Sequence, residues 1–288
     1  TEYGTEEQKR KYLPDIASGK RLVAFALTEP TAGSDASAIR TTADRVKGGY
    51  ALNGSKQFIT NGGEAEIYTV IALTNKEKGI RGASAFIVEK DTPGFSFGRK
   101  EKKMGIRASS TRELIFRNCL VPEENMIGKE GMGFIMTMRL LDRSRPGVGA
   151  QALGLAQGAL EAAVDYARKR IQFGHPIISL PVVQDMLANM ATQVEAARLL
   201  VYAAAKTIDS GAKNFTEEAA MAKVFASDTA MKVTTDAVQI FGGAGYMKDY
   251  PIEKMMRDAK ITQIYEGSNQ VLRNAIAFEL RKRKGRRE

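Results

Sequence analysis

Cysteine and histidine are nearly missing from this chain of 288 residues, with Cys119 and His175 the sole examples of each. One thiol excludes an intramolecular disulfide and a thiolate metal cluster, and a lone free cysteine suits a reducing compartment. One imidazole excludes Ser-His-Asp and Cys-His catalysis unless His175 itself serves, and it argues against zinc hydrolase chemistry, so no metal site is expected. Proton transfer then falls to carboxylates, lysine or tyrosine. No stretch approaches the roughly 20 consecutive apolar residues of a membrane-spanning helix, and no membrane role is expected. No signal or transit peptide is visible either, although the chain opens on TEYGTEEQKRK without an initiator methionine, so that absence carries little weight.

The formal net charge of +10 raises the question of a polyanionic partner. Much of it sits in the tail RKRKGRRE (281–288); the remainder of the chain carries 37 basic and 32 acidic residues. The tail reads as a solvated end, with a polyanion contact as the second reading.

Two textures divide the chain. Residues 22–122 read as short strands broken by turns: LVAFALTE, RVKGGYALNGSKQFITNGG, EIYTVIAL, ASAFIVEK, GFSFGRK and RELIFRNCLV. Gly48-Gly49 is expected to turn a hairpin, with Asn53-Gly54 as a second turn. After GKEGMGF (128–134) come alanine, leucine, methionine, glutamate and glutamine, which favour helix. Val183, Leu187, Met190, Val194, Ala197, Val201 and Ala204 recur at alternating steps of four and three, an apolar seam for packing between helices. Helices are expected over about 133–172, 181–208, 216–241 and 268–282. The fold class is therefore α+β and multidomain: a remnant helix over 1–20, an antiparallel β-barrel or sandwich over 21–127, and a four-helix bundle over 128–288.

Single motifs leave alternatives open. GVGAQA (147–152) matches a dinucleotide-binding pattern, but no strand precedes it, and small residues allowing close helix packing explain it better. LTEPTAGSD (27–35) is either a turn or a small-residue loop that admits a phosphate or a planar ring. KQFITNGG is a strand end or an aromatic wall. RKRIQFG places Arg170 and Phe173 three apart, on one helix face, or simply ends a helix with basic residues. QIFGGAGY (239–246) is at least a glycine stop. Glu266 in QIYEGSNQ is a solvated charge or a base.

In order, FALTEPTAGSDAS, GSKQFITNGG, KMGIRASSTREL, LLDRSRPGVGAQALGLAQGALEAAVDYARKRIQFG, QIFGGAGY and RDAKITQIYEGSNQVLR resemble the acyl-CoA dehydrogenase family over roughly residues 5–282, nearest to its short-chain, butyryl-CoA type. The resemblance implies a flavoprotein that removes two hydrogens across Cα–Cβ of an acyl-CoA thioester to give the trans-2-enoyl-CoA. It uses FAD and passes electrons to an electron-transfer flavoprotein. Enoyl-CoA reduction and acyl-CoA oxidation are the alternatives on the same scaffold, and a DNA-binding flavoprotein relative is a third. It also implies an N-terminal helical domain of which only TEEQKRKYLPDIASG is present here, a homotetramer (a dimer of dimers) with FAD sites shared across subunits, and a cytoplasmic location in bacteria or archaea or the mitochondrial matrix in a eukaryote. No nucleic-acid partner is expected.

Residue by residue, Glu266 matches the family's catalytic base; a carboxylate aimed at a weakly acidic thioester α-proton gains basicity when burial penalises its anion. Phe25, Leu27, Thr28, Gly33 and Ser34 match the strand and loop along the flavin, and Phe58, Ile59 and Thr60 its opposite wall. Arg170, Phe173, Gln239, Gly242 and Gly243 match residues reaching FAD from a neighbouring subunit, with Ser268 and Gln270 at the adenosine part. Ser34, Asp142, Arg145, Tyr265 and Gly267 match contacts to the acyl-CoA. Some relatives carry the base just before the arginine of the DxxR segment; Ser144 stands there, so Glu266 has no rival.

Overall fold

The computed structural model describes residues 1–282; residues 283–288, most of the basic tail noted above, lie outside the described residues. Two compact units are present, one made of Thr1–Lys103 with Arg107–Arg139 and the other of Met104–Ile106 with Leu140 onward.

The first unit opens with helix α1 (Glu6–Ala17). Its start is fixed by a capping box, in which the Gln8 N–H donates to the Thr5 hydroxyl at 3.2 Å and the Thr5 N–H donates to the Gln8 side chain at 3.0 Å. Eight strands follow: β1 (Val23–Ala26), β2 (Thr42–Val46), β3 (Gly49–Thr60), β4 (Ile67–Leu73), β5 (Ala83–Glu89), β6 (Phe95–Lys100), β7 (Thr111–Pro122) and β8 (Met126–Ile127). They form one sheet in the order β6-β7-β3-β2-β4-β5-β8, with β1 beside β4. Strands β4 and β5 are apolar almost throughout and buried along nearly their whole length, as central strands are. Tyr50, Leu52, Tyr68, Phe86, Leu114 and Phe116 make the core, with Phe95 stacked on Phe116 at 4.9 Å.

Most neighbouring strands run antiparallel, as expected, but β1 and the end of β2 lie parallel to β4, and the sheet stays open instead of closing into a barrel. The cause is connectivity: β1 and β4 are joined through the whole β2–β3 hairpin, and a long connection permits the parallel pairing that a tight turn forbids. The turn expectations are also corrected. Val46 pairs with Gly49, so the hairpin turns at Lys47-Gly48, with Gly48 at φ +84°. Asn53-Gly54 is no turn. It is a bulge inside β3, where a Cβ on Gly54 would stand 2.7 Å from the Thr41 hydroxyl.

Lys56 points inward from β3 and is fully buried. Its ammonium donates to the Leu27 carbonyl at 2.9 Å and to Glu29 at 2.7 Å, and Glu29 accepts from the N–H groups of Arg40 (2.6 Å) and Thr41 (3.0 Å). Burial pulls the Lys56 amine down to about 8 against the pull of the Glu29 charge. Burial pushes Glu29 upward, but Lys56 and the hydrogen bonds outweigh it and hold the carboxylate below its usual range. This pair ties the 27–41 loop to the sheet.

The second unit holds the rest of α2 (Gly133–Lys169), the small hairpin β9 (Ile171–Gln172) and β10 (His175–Pro176), then α3 (Pro181–Asp209), α4 (Thr216–Phe241), α5 (Gly243–Tyr246), α6 (Ile252–Thr262) and α7 (Asn269–Lys282). All seven seam residues of α3 are buried. GVGAQA lies within α2, where a Cβ on Gly149 would stand 3.1 Å from the Val201 side chain, the close packing anticipated. Helix α6 was not anticipated. It is an 11-residue, charge-rich helix with Glu253–Arg257 and Lys254–Asp258 pairs one turn apart, and its apolar face, Ile252, Met255, Met256 and Ala259 at helical spacing, is a signal that the sequence reading passed over. Among the described residues no helix is long and apolar enough to cross a membrane.

Replacing Lys56 by Met leaves Glu29 buried without its counter-charge and lowers the unfolding free energy by about 3–5 kcal/mol. Adding Glu29→Gln recovers part of the loss, because the amide oxygen still accepts from Arg40 and Thr41. Denaturant titration checks both, and an unchanged midpoint for Lys56→Met would contradict this account.

Candidate active site

Between α6 and α7 the chain reverses over residues 263–268. Glu266 itself adopts φ +57° and Gly267 φ +92°. A left-handed conformation at a non-glycine residue costs of order 1 kcal/mol and persists only where its surroundings impose it. Those surroundings come from three helices.

Helix α2 supplies the first group. The Ser144 hydroxyl donates to Glu266 Oε2 at 2.7 Å and lies 3.1 Å from the Leu141 carbonyl. Arg145 Nε donates to the Glu266 main-chain carbonyl at 3.4 Å. Its Nη1 pairs with Asp142, whose other oxygen accepts from Thr216 Oγ1 at 2.7 Å. Arg145 is buried, and burial draws its guanidinium below its usual range against the pull of Asp142 and Glu266. Asp142 and Arg145 are brought together by their i, i+3 helical spacing.

Helix α4 supplies Lys223, which is fully buried and donates to the Gly267 carbonyl at 2.8 Å and to Asn269 Oδ1 at 2.9 Å. One turn on, Ser227 exchanges hydrogen bonds with Asn269, and the Asn269 amide donates to Asp228 at 2.8 Å. Asp228 also accepts from Gln263 at 2.6 Å and pairs with Arg273 on α7. Burial, reinforced by Arg145, pulls the Lys223 amine down to about 8. The half-buried Tyr265 donates its hydroxyl to Gln151 on α2, and burial raises the phenol.

Asp142, Arg145, Tyr265, Glu266 and Gly267 thus converge, with Ser268 capping α7 through its hydroxyl (3.4 Å from the Val271 nitrogen) and Gln270 exposed two residues beyond. Glu266 is half-buried, neither a free surface charge nor fully enclosed. Arg170 and Phe173 do not share a helix face, because α2 ends at Lys169. Phe173 stands at φ +50° at the tip of the β9–β10 hairpin and is 86% exposed. Gln239, Gly242 and Gly243 end α4 on an exposed segment, with no atom within 4 Å of where a Cβ on either glycine would stand.

In the first unit the anticipated residues also meet. Phe25 lies in β1 and Leu27 and Thr28 just beyond it, and the Gln57 N–H donates to the Thr28 carbonyl at 2.8 Å, setting that segment beside Phe58, Ile59 and Thr60. Phe58 stands at φ +58° on a bulge with its ring 59% exposed, while Ile59 is buried. Gly33 and Ser34 are exposed in the loop that Glu29 and Lys56 anchor.

Sequence reasoning missed Lys223, Ser227, Asp228 and Asn269. Their only signal was polar residues at 223, 227 and 228 within an alanine-rich helix. Asp142→Asn removes the counter-charge of buried Arg145 and lowers stability by about 3 kcal/mol, read as a shifted denaturation midpoint. An unchanged midpoint would show that Arg145 is not held by that pair.

Residues 131–280 match the family described as acyl-CoA dehydrogenase, C-terminal domain, and residues 24–119 match acyl-CoA dehydrogenase, middle domain. The chain is 55% identical to the acryloyl-CoA reductase (NADH) of Anaerotignum propionicum, over 98% of this chain and 72% of that protein. Among solved structures, butyryl-CoA dehydrogenase from Megasphaera elsdenii matches with a TM-score of 0.95 at 54% identity, covering 96% of this chain and 73% of that one. A chain in the structure described as the electron transferring flavoprotein of Acidaminococcus fermentans, towards a mechanism of flavin-based electron bifurcation, matches with a TM-score of 0.95 at 59% identity over the same shares. The chain belongs to the acyl-CoA dehydrogenase family, whose members are FAD-dependent oxidoreductases.

Proposed function

We propose that this protein dehydrogenates a short-chain acyl-CoA across Cα–Cβ to the trans-2-enoyl-CoA, with Glu266 as the base and an electron-transfer flavoprotein as the electron acceptor. The observation that carries the reading is the Glu266 carboxylate itself, held in a left-handed turn with one oxygen engaged by Ser144. With Oε2 so occupied, Oε1 accepts the α-proton. Arg145 and Lys223, bonded to consecutive carbonyls of the same turn, keep the carboxylate from swinging away as it does so.

Several features support FAD as the cofactor. The Phe58 ring is held outward on a bulge, the space above Gly33, Gly242 and Gly243 is open where side chains would otherwise stand, and the guanidinium of exposed Arg170 suits a diphosphate. By the resemblance, Thr28 and Phe58 would lie against its ring, while Arg170, Gly242 and Gly243 would reach the FAD of a neighbouring subunit and Ser268 its adenosine part. When bound, FAD supplies the acceptor for the β-hydrogen and its two electrons. The homotetramer is carried over from the family resemblance, and Phe173, 86% exposed at a hairpin tip, is free to meet the FAD of a neighbouring subunit as that resemblance implies.

A second reading, reduction of an enoyl-CoA, is favoured by the 55% identity to an acryloyl-CoA reductase. In that direction Glu266 returns a proton to Cα.

Anaerobic mixing of the FAD-loaded protein with butyryl-CoA should bleach the visible flavin band. Glu266→Gln should slow that bleaching by about 10²–10⁴-fold with FAD retained, the usual contribution of a general base. Equal bleaching in both proteins would remove Glu266 from the mechanism, and no bleaching by wild type with any short acyl-CoA would remove the substrate class.

A further inference from the structure

We propose that Lys223 is a positioning residue for the Glu266 base, its buried ammonium fixing the turn that carries the carboxylate and supplying the positive charge against which proton abstraction occurs. The inference rests on the reading of Glu266 given above. Lys223 lies on α4, more than forty residues before that turn, and meets it only through the fold.

A fully buried ammonium is expensive, and its two acceptors here, the Gly267 carbonyl and Asn269 Oδ1, are both neutral. A methionine in its place would fill the same room in an alanine-lined helix without that cost. Holding the loop alone does not require a charge either, because Ser227, Asp228 and Gln263 already fix Asn269 and the start of α7. What a lysine adds is the charge.

The charged groups around it make that charge matter. Helix α2 contributes Asp142 and Arg145, α4 contributes Asp228 and Lys223, the turn contributes Glu266, and α7 contributes Arg273. Once Glu266 takes the α-proton this cluster loses one negative charge, so its field turns more positive at the moment negative charge develops on the substrate thioester. A preorganised charge that appears only as the transition state forms stabilises it selectively. The Lys223 amine lies near 8, below an ordinary lysine, because of burial and the neighbouring Arg145. Raising the pH through that value therefore removes the charge within the range of an ordinary assay.

The test isolates proton abstraction from oxidation. A thioether acyl-CoA with sulfur in place of the β-carbon has acidic α-hydrogens and no β-hydrogen to transfer, so its α-hydrogens exchange in D₂O without redox change, and NMR reads the rate. The FAD-loaded wild type is compared with Lys223→Met, Lys223→Gln and Glu266→Gln. Lys223→Met should slow exchange at saturating analogue by roughly tenfold or more while the analogue's Kd stays within about threefold, the pattern of an interaction realised only in the transition state. Wild-type exchange should fall above about pH 8, and that alkaline limb should vanish in Lys223→Met. Lys223→Gln keeps an N–H for the Gly267 carbonyl without the charge, and should behave like Lys223→Met; it decides the matter if the methionine variant does not accumulate as folded holoprotein. Wild-type rates and an unchanged pH profile in the folded variant overturn the proposal. Should neither variant fold, a wild-type profile flat from about pH 7 to 10 overturns it and a fall near 8 supports it. Glu266→Gln separates the two readings. Loss of exchange there with normal exchange in the Lys223 variants sinks Lys223 alone, whereas normal exchange in Glu266→Gln sinks the base and Lys223 together.

Discussion

The second unit is organised around a carbonyl. Glu266 and Gly267 are both left-handed, so their peptide oxygens face into the helices instead of toward water, and a buried carbonyl must find a donor. Arg145 takes the first and Lys223 the second. Neither cation tolerates burial alone, which brings in Asp142 and Thr216 behind the arginine and Asn269, Ser227 and Asp228 around the lysine. Each added polar group needs room close to the helix axes. The alanines at 219, 220, 222, 226 and 230 provide it, letting α4 approach its neighbours closely while the polar residues keep one face.

The first unit repeats the device. There too a buried lysine reaches a main-chain carbonyl, Lys56 to Leu27, and holds a loop whose exposed residues are the ones with chemical promise. The difference is instructive. Lys56 has a carboxylate partner 2.7 Å away, so the pair is neutral and its work is anchorage. Both acceptors of Lys223 are uncharged, and its counter-charges stand further off on three separate elements. A neutral pair holds position, while an ammonium without a direct partner leaves a field.

Helices were legible where packing sets a period: the α3 seam is buried residue for residue, and α4 begins and ends where composition changes. Turns were less so. Gly48-Gly49 and Asn53-Gly54 drew the eye, yet register decides a hairpin. Val46 opposite Gly49 moves the turn back one residue, and pairing with β7 makes Gly54 a bulge. Helix α6 escaped although Ile252, Met255, Met256 and Ala259 recur at helical spacing, because the stripe lasts only two turns and lies among charged residues. Glu266, Ser144 and Arg145 were named from their motifs, and Lys223 was not, because a lysine in an alanine-rich helix reads as a solvated face until the neighbours are known. Burial of polar groups is a property of the assembled helices, and sequence local to 223 holds no record of residues 267 and 269.

The same geometry also bears on direction. A carboxylate placed to remove an α-proton is, by microscopic reversibility, placed to return it, and the charge that favours an enolate-like state serves both passages through it. On the function proposed above, nothing in the turn at Glu266 needs to differ between a dehydrogenase and a reductase of the same thioester, in keeping with a chain that is 55% identical to an acryloyl-CoA reductase and overlays a butyryl-CoA dehydrogenase at a TM-score of 0.95. On that reading Ser144, Arg145 and Lys223 serve either direction, and the redox potential of the electron partner sets which one runs.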